Sequence, residues 1–338
     1  MTFYQEKVLV TGASGYIALH CILELLNKGY KVRGSLRNLN REDEVRKSLG
    51  IEFKNQNLEF CKLNLLNDDG WDDAASDCDY LLHIASPCFV EEPKDDKELI
   101  TPALEGTLRA LKAAQKSKVR KVVLTSSMGA IAYGHNKRYC DTTDWTDTSV
   151  DVGAYIKSKT IAEQAAWDFV NNQSNGSFVM TTINPGMVFG PLLGNDIEGI
   201  SASLITKMIT GKFPALPDIY FTVVDVRDVA NLHVQSLKNH QSDNKRIIAT
   251  SQKGIPFIEI SEILRDIGFN KAPKYLVPTK LINFLAMFNR DMKSTSSMIK
   301  RGRYGADISE TISIFDWQPT PFKKTLEDMT ITLKKNLN

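Results

Sequence analysis

The sequence predicts an α/β protein with a doubly wound parallel sheet and a smaller C-terminal α+β lobe. Three observations support this prediction. Strand and helix signals alternate with short links through the first half of the chain. A glycine-rich turn separates the first strand from the first helix, and the alternation stops near residue 186. The length of 338 residues suits such a two-lobed protein.

The elements follow one another in regular order. A buried apolar strand is predicted at 7–11, and a helix at 16–27 ends before Gly29. Further strands are predicted at 32–36, 58–63, 80–85, 121–126 and 178–183, with helices at 41–49, 69–75, 97–116 and 153–171. Repeated βα units of this kind produce a parallel sheet with helices on both faces.

The pattern changes after Pro185, where glycines and prolines interrupt it. We therefore predict a first domain of residues 1–185, to whose sheet residues 222–250 return with strands at 223–226 and 246–250. Asp228 is expected to cap the helix between them. Residues 186–221 and 251–338 are predicted to form the second lobe. The apolar run 281–288 is shorter than the roughly 20 residues that span a bilayer, so we expect a packed amphipathic helix there.

Composition excludes several classes of function. The net charge is +2 with acidic and basic residues interspersed, so neither a nucleic acid nor a membrane is predicted as a partner. Five cysteines are scattered without a CxxC pair, and the five histidines do not cluster, so neither a disulfide framework nor a metal site is predicted. The chain enters its first strand at once, which predicts a cytoplasmic protein without a signal peptide.

The segment 8–18, Val-Leu-Val-Thr-Gly-Ala-Ser-Gly-Tyr-Ile-Ala, predicts a dinucleotide site. Gly12 permits a tight turn, Gly15 lets the backbone approach a pyrophosphate, and Ala18 allows close packing of helix and strand. The helix N-terminus presents N–H groups to the phosphates. Beside the two glycines, the predicted contacts of this turn are Ser14, Tyr16 and Ile17.

The end of the second strand favours NADPH over NADH. An NAD site usually has an acidic residue there to bind the ribose, whereas this chain has Arg37. A guanidinium suits a 2′-phosphate because it forms forked, charge-assisted hydrogen bonds. The acidic residues at 42–44 are explained as the first turn of the next helix.

Tyr155 and Lys159 predict the catalytic step. They lie one turn apart on the predicted helix 153–171. A phenol can donate a proton to a reduced carbonyl, and a nearby ammonium lowers the phenol pKa. Both side chains are also expected to contact the cofactor. A second Tyr-x-x-x-Lys, Tyr133 to Lys137, lies in a loop-like stretch, so it is not expected to share a helix face.

The strand that ends at residue 126 supplies a third group. Ser126 and Ser127 stand at the carboxyl edge, where ligands bind in such sheets. Either hydroxyl could orient the substrate oxygen and stabilise its developing charge. Thr125, beside them, is expected to line the cofactor site.

Together these motifs resemble the extended short-chain dehydrogenases/reductases, in the branch of dihydroflavonol reductases and yeast methylglyoxal (aldehyde) reductases. The resemblance covers essentially the whole chain. It rests on the segments 10–18, 83–87, 123–127, 155–167, 184–191 and 224–230.

The resemblance implies a Rossmann domain, a small-molecule carbonyl substrate bound by the second lobe, and NADPH or NADP as cofactor. It implies Ser127, rather than Ser126, as the partner of Tyr155 and Lys159. Further residues expected beside the cofactor are Ile84, Ala85, Ser86, Pro185, Val188 and Ser203. Asn64 and Leu65 stand where the family often has Asp-Leu against the adenine, and the amide can still accept one hydrogen bond there.

Two alternatives remain open. A nucleotide-sugar epimerase shares the fold and the Tyr/Lys pair, whereas a dehydratase needs an Asp-Glu pair where this chain has Met128 and Gly129. A non-catalytic regulator that binds NADPH is the other. We expect the active form to be a monomer or a homodimer.

Overall fold

The computed structural model describes residues 6–50, 57–87, 93–173, 178–194 and 199–337. Cys88 lies outside the described residues. The strands are β1 (Lys7–Val10), β2 (Lys31–Leu36), β3 (Leu58–Lys62), β4 (Tyr80–His83), β5 (Lys121–Thr125), β6 (Tyr139–Cys140), β7 (Val179–Pro185), β8 (Met187–Phe189), β9 (Tyr220–Phe221), β10 (Val223–Asp225), β11 (Lys245–Ala249), β12 (Ile255–Pro256) and β13 (Gly305–Ala306).

The helices begin and end close to the predicted positions in the first half of the chain. They are α1 (Tyr16–Asn27), α2 (Glu42–Ser48), α3 (Trp71–Ala75), α4 (Lys97–Lys116), α5 (Ala154–Asn171), α6 (Ile200–Ile209), α7 (Val226–Ser236), α8 (Phe257–Asp266), α9 (Thr279–Leu285), α10 (Arg290–Arg301), α11 (Ser309–Phe315) and α12 (Phe322–Leu337). Short 3₁₀ turns cover Leu39–Arg41, Met128–Ala130 and His240–Ser242.

A seven-stranded sheet in the order β3-β2-β1-β4-β5-β7-β11 forms the centre, and the paired strands run parallel. Val8, Leu9 and Val10 are fully buried because helices cover both faces of the sheet. α1, α2 and α7 pack on one face, and α3, α4 and α5 pack on the other. The predicted doubly wound α/β fold is confirmed.

A third apolar cluster lies beyond the sheet and is built by the later part of the chain. Phe189 lies in this cluster together with apolar side chains of α6, α8 and α12. Phe189 and Phe322 meet edge to face with ring centroids 5.4 Å apart. Most of this cluster comes from residues 186–221 and 251–338, the segments that the sequence analysis assigns to the second lobe.

The prediction that residues 223–226 join the central sheet is wrong. β10 pairs with β8 in a separate two-stranded sheet. β11, in contrast, forms the edge of the central sheet as expected. The cap of α7 is Asp225, which accepts a hydrogen bond from Arg227 N at 2.8 Å, whereas Asp228 binds the backbone and hydroxyl of Thr320.

The segment 304–317 departs from the expected lobe boundary. Its side chains Tyr304, Ile308, Phe315 and Trp317 belong to the cluster that covers one face of the central sheet. The chain therefore returns to the first domain between α10 and α12, a crossing that the apolar pattern did not indicate.

The apolar run 281–288 is not the packed amphipathic helix that its pattern predicted. Only Ile282 of α9 is buried, whereas Phe284 and Phe288 are 58% and 76% exposed. The two rings contact each other edge to face, with centroids 5.6 Å apart. Within the described ranges, no helix has both the length and the apolar composition needed to cross a bilayer.

Three buried histidines of the first domain connect separate parts of the chain. His20 lies beside Pro191 O at 3.0 Å, His83 beside Thr11 Oγ1 at 3.0 Å, and His233 beside Thr125 Oγ1 at 2.7 Å. Burial lowers the pKa of His20 and of His233 to about 4, and that of His83 to about 3, because the charged imidazolium is desolvated.

These depressed pKa values predict loss of stability in mild acid. Below about pH 6.5 these histidines are protonated in the unfolded state but remain neutral in the folded state. The free energy of unfolding therefore falls as the pH falls toward the folded pKa values. At pH 5 each histidine should cost about 2 kcal/mol relative to pH 7. Urea unfolding at both pH values measures the loss.

The variant His233→Gln should lose about 2 kcal/mol less between these pH values than the wild type does. His240→Gln is the control, because the side chain of His240 is 93% exposed. An equal loss in all three proteins would contradict this account.

Candidate active site

The carboxyl ends of the central strands open into one cavity of about 1550 Å³. This is the edge at which ligands bind in doubly wound sheets. All predicted site residues except Ser203 line this cavity: Gly12, Ser14, Gly15, Tyr16, Ile17, Arg37, Asn64, Leu65, Ile84, Ala85, Ser86, Thr125, Ser127, Tyr155, Lys159, Pro185 and Val188.

Ser203 is the exception, and its contact with the cofactor stays a prediction. The cavity wall includes residues 199–202 at the start of this helix, but not Ser203. Its backbone N–H already bonds to Gly199 O at 2.8 Å within the first turn. Ser201, two positions earlier, lines the cavity instead.

The glycine-rich turn leaves room for a phosphate group. Gly12 has a φ of +71°, which side-chain-bearing residues rarely adopt, and a Cβ at this position would lie 3.1 Å from the Cα of Ala85. Gly15 caps α1, and as a glycine it has no side chain that could accept from the first-turn N–H groups. These N–H groups and the helix dipole can therefore bind an anion.

Two arginines stand on the cavity wall beyond β2. Arg37 is exposed and forms no ion pair among the described residues. Arg41 binds Glu44 with both branches of its guanidinium, at 2.8 and 2.7 Å, and donates to Ser14 Oγ at 3.2 Å. Arg37 has no ion-pair partner among the described residues, whereas the charge of Arg41, which was not predicted as a site residue, is balanced by Glu44.

Asn64 and Leu65 line the cavity after β3, on the side where the adenine is expected. The Oδ1 atom of Asn64 accepts from Leu66 N at 3.0 Å, which holds the turn. The Oδ1 atom keeps a second lone pair, so Asn64 can still accept one hydrogen bond from a ligand, and its amide nitrogen can donate.

Tyr155 and Lys159 lie in the first two turns of α5 and face the same cavity. The Nζ atom of Lys159 is 6.0 Å from the centroid of the Tyr155 ring and 3.5 Å from Thr125 O. Lys159 is only 7% exposed, so its charge acts at close range with little solvent screening.

The two serines after β5 differ in their hydrogen bonds. Ser126 is buried and donates its hydroxyl hydrogen to the carboxylate of Glu163. Ser127 Oγ accepts from Gly129 N at 2.9 Å, so its own hydrogen stays available for a ligand. This difference favours Ser127 as the group that can donate to a substrate oxygen.

A buried polar network beneath these serines was not predicted. Glu163 of α5 accepts from Ser126, from Asn184 Nδ2 at 2.7 Å and from Arg246 Nε at 2.7 Å. Asn184 also donates to Ser127 O at 3.2 Å. The sequence did contain a signal for this network, because Glu163 lies among apolar residues of the helix. A carboxylate buried in such a position needs hydrogen-bond partners.

The chain matches the model of the NAD dependent epimerase/dehydratase family over residues 8–249. It is 36% identical over 268 residues to a cinnamoyl-CoA reductase of Medicago truncatula, covering 77% of this chain and 80% of the relative. It is 32% identical over 290 residues to a bifunctional dihydroflavonol 4-reductase/flavanone 4-reductase of Pyrus communis, covering 81% and 79%.

This chain belongs to the NAD dependent epimerase/dehydratase family. The yeast methylglyoxal/isovaleraldehyde reductase Gre2, solved in complex with NADPH, superposes with a TM-score of 0.79 at 25% identity, covering 97% of this chain and 98% of the other. These findings confirm the predicted family and its dinucleotide cofactor. The turn at Gly12, the cavity volume and the two arginines fit NADPH.

Replacement of Gly12 by alanine should weaken NADPH binding about tenfold or more, because the methyl group strains the turn and crowds Ala85. Fluorescence titration with NADPH measures the dissociation constant. Gly50→Ala is the matched control, because Gly50 has a similar φ of +65° but nothing within 4 Å of the added methyl. Equal affinity in the two variants would argue against a phosphate site at this turn.

Proposed function

We propose that this protein is an NADPH-dependent oxidoreductase that reduces a ketone or aldehyde to an alcohol, with Tyr155 as the proton donor. The observation that carries the proposal is the phenol and the buried ammonium on one face of α5, in the cavity that begins at the dinucleotide turn. The relatives described above are reductases by name, and the yeast structure contains NADPH. The reaction type follows from both facts.

When bound, NADPH supplies the hydride for the carbonyl carbon. Tyr155 donates its phenolic proton to the carbonyl oxygen as negative charge develops there. Lys159 favours the resulting phenolate, because a positively charged ammonium group nearby lowers the phenol pKa. Ser127 donates a hydrogen bond to the same oxygen. This bond orients the carbonyl and stabilises the negative charge that develops on it.

We further propose that the substrate is a small carbonyl compound and that the protein acts in the cytoplasm as a monomer or a homodimer. The net charge of +2 and its even distribution give no reason to expect nucleic acid or a membrane as a partner. The family also includes epimerases, so the reaction itself must be measured.

The decisive assay follows NADPH oxidation by the purified protein over aldehydes, diketones and flavonoid ketones. We expect stoichiometric formation of the alcohol from at least one of these classes. Epimerisation of a nucleotide sugar with tightly retained NAD, and no net NADPH consumption, would replace the reductase by an epimerase. Tight NADPH binding without turnover of any carbonyl would instead favour a regulator.

The variant Tyr155→Phe should bind NADPH normally and lose at least about two orders of magnitude in kcat, the usual contribution of a positioned proton donor. Steady-state kinetics and NADPH titration separate the two effects. Tyr139→Phe is the control, because Tyr139 is 44% exposed and does not line the cavity. Retained turnover in Tyr155→Phe would remove Tyr155 from the catalytic role.

The variant Arg37→Ala should raise the dissociation constant of NADPH about tenfold or more and leave that of NADH nearly unchanged, because only NADPH carries the 2′-phosphate. Lys31→Ala is the control, since Lys31 is an exposed cation at the opposite end of β2. If Arg37→Ala still prefers NADPH over NADH, the role assigned to Arg37 is wrong. The same titration of Arg41→Ala then tests whether Arg41 binds the 2′-phosphate.

A further inference from the structure

One wall of the cavity is rich in positive charge. It includes Lys293, Lys300 and Arg301 of α10, together with Arg138 from the segment before β6. Lys293 is neutralised by Asp151 at 2.9 Å. For the other three cations the described part of the chain supplies no ion pair, so this wall has an excess of positive charge.

Arg301, in this wall, packs against two tyrosine rings. Its guanidinium carbon is 3.4 Å from the centroid of Tyr304 and 4.2 Å from that of Tyr133. Both rings also line the cavity. The nitrogens Nε, Nη1 and Nη2 are all buried, and among the described residues none of them has a partner at hydrogen-bonding geometry. A guanidinium has five N–H donors, and burying them without acceptors is costly.

Arg246 shows how the same chain pairs most of a buried guanidinium, since only its Nη2 has no hydrogen-bond partner among the described residues. It also stacks on an aromatic ring, that of Trp145 at 3.8 Å. However, its Nε donates to Glu163 at 2.7 Å and its Nη1 donates to two backbone carbonyls at 2.9 and 2.6 Å. Arg301 has the stacking without the acceptors. The missing element is therefore an anion in the plane of its guanidinium.

The neighbouring phenol does not supply that negative charge. Burial raises the pKa of Tyr133 well above its ordinary value, so its hydroxyl stays neutral near pH 7. The two tyrosine rings are inclined at 61° to each other, so they pack against the guanidinium without sandwiching it, and its N–H groups still need acceptors. A planar carboxylate matches the edge of a guanidinium with two parallel hydrogen bonds.

We propose that Arg301 binds a carboxylate of the substrate, so that the preferred substrates are carbonyl compounds that carry a carboxylate. The proposal rests on the reductase function proposed above. Arg301 is then a specificity-determining residue, because a neutral carbonyl compound would leave its guanidinium without an acceptor. Discrimination against such a compound follows from a buried donor that stays unpaired.

A matched pair of substrates tests this proposal. 4-Carboxybenzaldehyde and methyl 4-formylbenzoate have the same reacting aldehyde and differ in the charge at the far end. The wild type should have a kcat/KM at least about tenfold higher for the carboxylate. Arg301→Gln should abolish this preference, mainly through KM, and should change kcat/KM for the ester less than about threefold.

Two further variants control for charge and folding. Lys280→Gln removes an exposed positive charge from α9, outside the cavity wall, and should leave the preference unchanged. Arg301→Lys keeps the charge without the fork and should retain only part of the preference. Unaltered NADPH affinity and melting temperature establish that each variant is folded. An equal loss on both substrates in Arg301→Gln would indicate a structural arginine and overturn the proposal.

Equilibrium binding separates this proposal from the reductase function. Calorimetric titration of the NADP-loaded protein with benzoate and with benzamide needs no turnover. Benzoate should bind at least about tenfold more tightly than benzamide, and Arg301→Gln should remove that difference. If benzoate and benzamide bind wild type equally, the carboxylate site is refuted even when NADPH-dependent reduction occurs. If the difference is present but no carbonyl is reduced, the reductase function fails and the site stands.

Discussion

The buried carboxylate of Glu163 fixes the helix that carries the proposed chemistry. It joins α5 to Ser126 after β5, to Asn184 on β7 and to Arg246 on β11. Because these partners come from three strands, they fix both the position of α5 along its axis and its rotation about that axis. The positions of Lys159 and Tyr155, which lie one and two turns earlier on this helix, are fixed with it. The network is satisfied by charge-assisted hydrogen bonds, which a buried carboxylate requires.

The same network reaches the substrate side of the cavity. Asn184 donates to the backbone carbonyl of Ser127, and Ser127 caps the 3₁₀ turn Met128–Ala130. The hydroxyl oxygen of Ser127 therefore accepts one hydrogen bond that holds it in place, and its hydrogen can donate a bond to a ligand. Such preorganisation lowers the cost of orienting groups at the moment of reaction. Ser126, one residue earlier, is committed to the network and has no hydrogen to spare.

Local sequence patterns predicted the nucleotide half of the molecule well, because each βα unit carries its own periodicity and its own turn chemistry. The bounds of α1 and α4 agree with the predicted ones, and the glycine-rich turn lies where the strand-turn-helix pattern placed it. The failures concern long-range pairing. Nothing in residues 223–226 distinguishes a strand that pairs with β8 from one that joins the main sheet, since both need an apolar run. The sequence pattern likewise did not single out Arg301, because its surroundings include Tyr133, which is distant in sequence and contacts it only in the folded protein.

The return of residues 304–317 to the sheet constrains how the two parts of the protein can be separated. Trp317 covers the sheet, whereas α12, which starts five residues later at Phe322, packs in the other cluster. The backbone therefore passes between the two cores more than once, and no single cut yields two self-sufficient fragments. Proteolysis or truncation after α10 would deprive both cores of apolar side chains at once, so the two parts should unfold as one cooperative unit.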